Sequence, residues 1–521
     1  MNESGGLKEL GVKLRIAMVG EGITYALEFD DVERWQKFFK QELEVAVKAA
    51  GEVGGRLPVE DRLPYMLGWV ASDVAINRGQ LEMGTSHLWQ LAETHALFDW
   101  SDIAVFRVNL TLEGPKLHFY AYTSLEKLDE TIRRSAEGGW LKMLGVRAES
   151  WDDLKRWVAD HWDEVIDAVK RRLESVKAGS GFDLAGAFEE LERLKSRLDD
   201  DKVAREAVAP ALLLIQAERL GVNEETLRYF GAVISGAING DGHVSAALKR
   251  IELASGECEI TLLWAAAFAA HGINAEVRDI GGVPQVVVSN GGAVKLARHY
   301  FLYGPPLLEG DERIINHKLA EAVELAAMGL GIRWEGLRRT GKGRVAADLT
   351  ISVGGTAVKY NVYLRETDIL LRFRSTDRSR VELVARLLKL ADVSAEVRRE
   401  GGRDVWCIEA TTDILAAGRE ELRKVLAEIV RRAMENGWVD AGKAERWLEK
   451  LKSGLTLKEG WPKYKVGLSS SGALEVRFAS TNPDSIVQET QRLREVGLVE
   501  GVHFSVKMPE GGEAGYLYIL R

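Results

Sequence analysis

Along most of this chain apolar residues return either every third or fourth position or every second one, and these two periods divide it into helices and strands. Leu154, Trp157, Val158, His161, Trp162, Val165, Ile166 and Val169 keep helical spacing on one face, with Ser150 as the cap, and predict one amphipathic helix. Residues 184–198 predict a second, closed by the solvated turn of Asp199, Asp200 and Asp201. Leu227, Phe230, Ile234 and Ala237 predict a third, running from Glu224 to Ile238. Elsewhere the period is two. Val358, Tyr360, Val362 and Leu364 alternate with Lys359, Asn361, Tyr363 and Arg365, and Leu371 and Phe373 alternate with Arg372 and Arg374. That alternation predicts strands with an apolar face on a core and a basic, aromatic face left open.

The pattern also repeats. Ala275-Glu-Val-Arg278 followed by Gly281-Gly282 returns as Ala395-Glu-Val-Arg398 followed by Gly401-Gly402. Each copy follows an apolar helix and precedes a β-branched strand, so the paired glycines mark hairpin turns. Lys359-Tyr-Asn-Val362 and Arg372-Phe-Arg-Ser-Thr376 return as Lys463-Tyr-Lys-Val466 and Arg477-Phe-Ala-Ser-Thr481. Asp377 and the Asn482-Pro483 pair open the helices that follow. Unequal intervals favour duplicated lobes over a solenoid.

Size and charge narrow the classes. At 521 residues the chain can hold three or four domains with their own cores. A formal charge of −9 excludes a globally basic nucleic-acid binder, so any such surface must be a local patch. Two distant cysteines, Cys258 and Cys407, suit a reducing interior, and no apolar run reaches the length of a bilayer span. The N-terminal MNESGGLKEL lacks the pattern of a signal peptide, which completes the expectation of a cytoplasmic protein.

The candidate chemistry centres on residues 234–242, ISGAINGDG. Gly231 with Ser235, and Ala232 with Gly236, form strips of small residues four apart, which let helix backbones approach closely at a cost in helix propensity. Asp241 is expected to project from the end of such a helix pair. This stretch resembles the LAGLIDADG motif of homing endonucleases and related maturases, through its glycines, Ile238 and Asp241. The resemblance implies two αββαββα lobes meeting at paired helices, with Asp241 as catalytic residue and Mg²⁺ ligand and Asn239 in place of an acid. The second lobe is expected 120 positions on, where Asn361 falls in a strand; the nearest equivalent helix, residues 317–331, ends in Met328-Gly-Leu-Gly331 without a carboxylate. One acid where metal-assisted hydrolysis uses a clamp on both oxygens predicts an inactive, nicking or self-associating protein, the last through the residue 231–241 helix. The competing reading is structural: residues 239–242 as a helix C-cap and turn.

A local basic patch is present. Residues 331–403 hold 16 lysines and arginines against 9 acids. Lys359, Tyr363, Arg365, Arg372 and Arg374 on the open strand face, with Arg338, Arg339, Lys342 and Arg344 in the preceding loop, are the candidate contacts to double-stranded DNA. The competing reading is a solvated strand face in a heat-stable protein. His87, His95 and His161 read as structural, and His243, directly after the motif, is the one histidine to test. No Ser-His-Asp set, phosphate-binding glycine loop or paired Cys motif is present.

From about Lys116 onward the chain resembles the PaRep family, 2b branch, of hyperthermophilic crenarchaea, through LLLIQAERLGV, HYFLYGPPLLEGDERIINHKLAEAVELA, RWEGLRRT, VKYNVYLRE and AERWLEKL. That resemblance implies a heat-stable cytoplasmic protein and no reaction. The expected fold is α+β with duplicated LAGLIDADG-like lobes. Its parts are an N-terminal α/β domain (1–142), a helical connector (143–222), a first lobe (223–312), a second lobe (313–457) and a C-terminal ββαββ unit (458–521). Two functions stay open: DNA binding by a degenerate homing-endonuclease-like core with residual Mg²⁺-dependent nicking, or a non-enzymatic interaction or scaffold protein.

Overall fold

The computed structural model describes residues 12–520 except 20–21, 30–31, 58–61, 112–113, 309–310, 342–343, 354–355, 402–403, 455–463, 469–473, 481–482 and 510–514. Lys342, Gly402, Lys463, Asn482 and the N-terminal MNESGGLKEL therefore lie outside the described residues. The fold is mixed α+β with several antiparallel sheets. It divides into two compact units: Met1–Gly331 with Ser352–Ala357 and Glu382–Leu390, and Ile332–Ile351 with Val358–Val381 and Ala391–Arg521. Among the described residues no helix is long and apolar enough to cross a membrane.

Within the first unit the same order of elements occurs twice. Helix Arg62–Val70, strands Ala75–Asn77 and Gln80–Thr85, helix Leu88–Phe98, strands Asp102–Thr111 and Gly114–Ser124, and helix Glu126–Gly138 make one copy. Helix Glu224–Asp241, strands Gly242–Ser245 and Arg250–Ala254, helix Cys258–Ala270, strands Ala275–Ile280 and Val283–Ser289, and helix Gly291–Tyr303 make the other. In both four-stranded arrangements the spatial order is first, second, fourth, third, and strand Val176–Ala178 extends the latter sheet by pairing in parallel with Ala275–Ile280. Gly281 and Gly282 form the predicted hairpin turn with φ of 66° and 85°, values that only glycine adopts without strain. Among the described residues the segment 313–457 has a different order: a helix, four strands, a helix, two strands and three helices. The 120-residue correspondence is accordingly one of short strings: Ala275–Ile280 is a full strand, and Arg398–Arg399 is a two-residue one.

Between the copies lies helical chain. Ser150 caps Trp151–Asp160 by accepting from the Asp153 N–H. The single helix expected over residues 154–169 breaks at His161, whose ring stacks 3.9 Å from Trp157 and bonds its carbonyl, and a new helix, Trp162–Arg172, begins. Helix Asp201–Leu220 follows, buried without a break from Ala207 to Ala217.

A six-stranded sheet, most of whose residues belong to the second unit, runs from Gly331–Arg339 through Val345–Val353, Thr356–Leu364, Ile369–Ser375 and Trp406–Thr411 to Arg398–Arg399. Tyr360, Val362, Leu364 and Leu371 are buried as the alternation predicts. The C-terminal part pairs Tyr464–Leu468, Leu474–Ser480, Gly515–Ile519 and Phe504–Lys507 in one sheet, with helix Pro483–Glu495 after the second strand, and closes its core on Leu493, Phe504 and Leu517.

Candidate functional site: two helix ends and a carboxylate pair

Helix Glu224–Asp241 starts with a capping box. The Asn223 side chain accepts from the Glu225 and Thr226 N–H groups, and the Thr226 hydroxyl accepts from the Asn223 N–H. Two first-turn acids add to this start, which offsets the poor propensity of a run rich in glycine and alanine.

Each small-residue strip meets a different helix of the same unit. A Cβ on Gly236 would sit 2.5 Å from the Tyr65 carbonyl oxygen and 2.6 Å from the Trp69 nitrogen. A Cβ on Gly68 would sit 2.0 Å from the Val233 carbonyl oxygen. The Arg62–Val70 and Glu224–Asp241 helices therefore cross backbone to backbone. On the other side a Cβ on Gly231 would collide with the His299 carbonyl oxygen at 2.6 Å, and the Ser235 hydroxyl donates to the Tyr300 carbonyl at 3.2 Å. Both strips are filled, so this helix leaves no small-residue face for the self-association expected of it.

The partner helix is likewise not the one the sequence suggested. It is Arg62–Val70, and Asp73 stands just past its end. Gly68, Ser72 and Asp73 occupy the same relative positions as Gly236, Gly240 and Asp241, and a Cβ on Gly240 would lie 2.1 Å from the Ser72 hydroxyl. The signal was a Gly and Ser four apart followed by Asp, inside the apolar run LPYMLGWVASD. A repeat search tied to the 120-residue spacing passes over it. The turn reading of residues 239–242 is also corrected: the helix continues through Asp241, and Gly242 has an ordinary φ of −87°. These glycines serve close packing, not a left-handed cap.

The two carboxylates face one field. Crowding by protein, then the Asp73 charge, pushes the Asp241 pKa up to about 6, although the residue as a whole is exposed. Burial likewise raises Asp73, against the lowering influence of Lys318, Gln90 and Arg205. A cation serves each helix end. Lys318 Nζ donates to the Ile238, Asn239 and Gly240 carbonyls at 3.1, 3.0 and 2.5 Å. Arg205 donates to the Ser72 carbonyl at 2.6 Å and also pairs with Glu206 at 2.9 Å. Positive charge at a helix C-terminus is favourable on dipole grounds alone. Gln90 joins the two ends, donating to Asp73 at 3.1 Å and to the Asn239 carbonyl at 2.9 Å.

Beneath the pair is a buried polar network. Glu93 accepts from Tyr65 at 2.5 Å, from Asn239 at 2.6 Å and from Asn316 at 2.8 Å, while Asn239 accepts from Asn316 at 3.0 Å and from the Tyr300 hydroxyl. Burial pushes the Glu93 pKa up to about 7, against these hydrogen bonds. Asn239, expected as a substituted acid, is instead the hub that ties both helix ends to helix His317–Ala327. Only an uncharged side chain with both donor and acceptor fills that place beside Glu93.

Of the residues expected to contact DNA from the second unit, Lys359, Tyr363, Arg372 and Arg374 lie on strands of one sheet. Arg338 and Arg339 end its first strand instead of lying in a loop, and Arg344 and Arg365 fall just outside the strands. Most are already engaged. Lys359 pairs with Glu335 and Asp348 at 3.0 Å each, and Arg338 pairs with Asp348 at 2.9 Å. Arg372 holds Glu400 and Glu409, Arg374 holds Glu400, and Arg365 holds Asp368. Arg339 lies over the Trp438 ring at 5.9 Å, and Arg344 is exposed. Tyr363 joins Lys359, Asn361, Arg372, Phe373 and Arg374 in lining a shallow groove. Five of these candidate cations thus have acids at ion-pair distance, with Asp348 and Glu400 each shared between two.

The fold and site so far define a mixed α+β protein whose first unit carries a repeated helix–sheet arrangement around two helix-end carboxylates. Residues 344–517 match the family model described as PaRep2b protein. VKYNVYLRE and AERWLEKL lie inside that span; LLLIQAERLGV, HYFLYGPPLLEGDERIINHKLAEAVELA and RWEGLRRT precede it, as does the carboxylate pair. No curated protein matches the chain.

Proposed function

We propose that the protein binds double-stranded DNA through a LAGLIDADG-like core in the first unit, with Asp73 and Asp241 as its paired acids. The observation that carries this reading is the crossing at Gly68 and Gly236, which delivers one carboxylate from each repeat to a common field. Two αββαββα copies with the same strand order support it. So does the open face of the first sheet, where Phe106, 60% exposed, contacts the rings of His118 and Tyr120, and where Arg107 and Lys116 are exposed. A surface of this composition can take phosphates on its cations and bases on its rings.

Mg²⁺ is bound in other proteins by one or two carboxylates together with substrate phosphates and water, and Asp73 and Asp241 fit that role. Among the described residues no three His, Cys, Asp or Glu groups converge as a metal site, so the substrate would have to complete the shell. Bound there, the ion would supply charge neutralisation at a scissile phosphate. The chain's own contribution is to hold Asp73 through Gln90, to tie the Asp241 helix end to Gln90 and the Glu93 network at Asn239, and to keep both helix ends capped by Lys318 and Arg205.

One observation favours the alternative of a non-enzymatic interaction protein: Lys318 already places a positive charge on the carbonyls of the Asp241 helix end. The two readings separate on salt. DNA binding predicts that affinity for a duplex falls linearly on a log–log plot as salt rises. Affinity indifferent to salt, or no affinity at all, removes the DNA reading.

A further inference from the structure

Beside the carboxylate pair lies a second cluster, of basic side chains, built from both repeats and the helix that follows them. His87 precedes helix Leu88–Phe98; its ring is 5.7 Å from His317 and 6.0 Å from Trp89, and His317 stands edge-on to Trp89 at 5.5 Å. Lys318 lies 6.0 Å from the centre of the Trp89 ring. Lys116 and His118 come from strand Gly114–Ser124 and His243 from strand Gly242–Ser245. His87, His243, His317 and Lys116 reach solvent. Trp89 does not: it is 3% exposed, and its indole N–H is buried without a hydrogen-bond partner among the described residues. A buried donor left unpaired is costly, and a water, an ion or a ligand that reaches it relieves that cost.

We propose that His87, His317, Lys116 and the Trp89 indole N–H form a binding site for a phosphate group. The groups acting on His87 are Lys116, His317, Lys318 and His118, all basic; those acting on His317 are Lys318, His243 and one acid, Glu321. Glu321 is itself held by the Ala246 N–H at 2.7 Å. Among the described residues none of the His87, His243 and His317 imidazoles bonds a carboxylate. Burial and then these like charges press His87 down to about 4, and His317 is lowered by the same causes. An entering anion reverses the second effect. Phosphate binding must therefore take up protons, and by linkage it strengthens as pH falls. The source that the proposed function implies is the DNA backbone; free phosphate has the same chemistry.

The experiment uses the full chain at constant ionic strength, with a short duplex and inorganic phosphate as separate probes. Affinity is measured at pH 5.5 and 7.5 for wild type and for His87→Gln/His317→Gln, with the histidine ring signals followed by NMR. Wild type is expected to bind the duplex roughly tenfold more tightly at pH 5.5, as for an average uptake of about half a proton between the two pH values. The double variant is expected to lose that gain while keeping its melting temperature. If the duplex fails to bind but inorganic phosphate shifts the His87 and His317 signals, the phosphate site stands with free phosphate as its source, and the DNA reading falls. If the duplex binds with the same pH gain in the double variant, the DNA reading stands and this site is wrong. If neither probe moves the two histidine signals, the site is overturned.

Discussion

The first unit's helix ends and the second unit's basic sheet both concentrate charge, but they compensate it differently. On the sheet, Lys359, Arg338, Arg365, Arg372 and Arg374 each have an acid at ion-pair distance. At the helix ends like groups are held together: after burial, the Asp73 charge raises Asp241 against Lys318 and Arg205, and after burial the basic groups around His87 lower that histidine. Exposed ion pairs add little stability and leave little field for a ligand. Like charges that are only partly offset cost stability and persist where something else, structure or ligand, requires them. A count of charges along the sequence favours the sheet as a binding surface, whereas their pairing in space favours the helix ends.

The strongest way to break the comparison is to break the crossing. Gly68→Leu would drive a side chain into the Val233 carbonyl, and a loss of more than about 4 kcal/mol is expected in urea denaturation. A loss near zero would mean that the helices do not meet there. Next, Asn239→Leu leaves Glu93, Asn316 and Tyr300 short of partners and is expected to cost about 3 kcal/mol.

The pH dependence sharpens the same point. Glu93 is raised to about 7 in the folded protein, so between about pH 4.5 and 7 the native state holds a proton that the unfolded state has lost. Stability should then fall as pH rises through that window, by on the order of 3 kcal/mol from this group, and Glu93→Gln should flatten the slope. A wild-type melting temperature that rises across this range, with no change of slope in Glu93→Gln, would refute the buried carboxyl's role. The smallest effects belong to the sheet. Arg374→Ala or Lys359→Ala should change stability by less than about 1 kcal/mol and leave the salt slope of duplex binding nearly unchanged. A slope reduced by about one in either variant would restore the sheet as a phosphate contact.

Local pattern was readable in the sequence, and partnership was not. Ser150 as a cap, the Gly281-Gly282 hairpin and the buried alternation of Tyr360, Val362 and Leu364 follow from single-residue preferences and period. The helix of ISGAINGDG and its close-packing strips were also legible, because glycine and alanine four apart have few other uses in a helix. What covered those strips was not. Helix Arg62–Val70 is only nine residues long, carries Pro64, and lies far from Asp241 in sequence, so periodicity gave no reason to pair the two. Asn239 misled for a related reason: its type suggested a lost acid, and its meaning comes from Glu93 and Asn316, which only the fold brings to it.

The most direct test of the paired carboxylates is Mg²⁺-dependent nicking of supercoiled DNA by the wild type, Asp73→Asn and Asp241→Asn. The account predicts that wild type nicks and that both variants lose about a hundredfold or more, to a similar extent. Nicking that survives either substitution, or that depends on Asp241 alone, would contradict the pairing of the two helix ends.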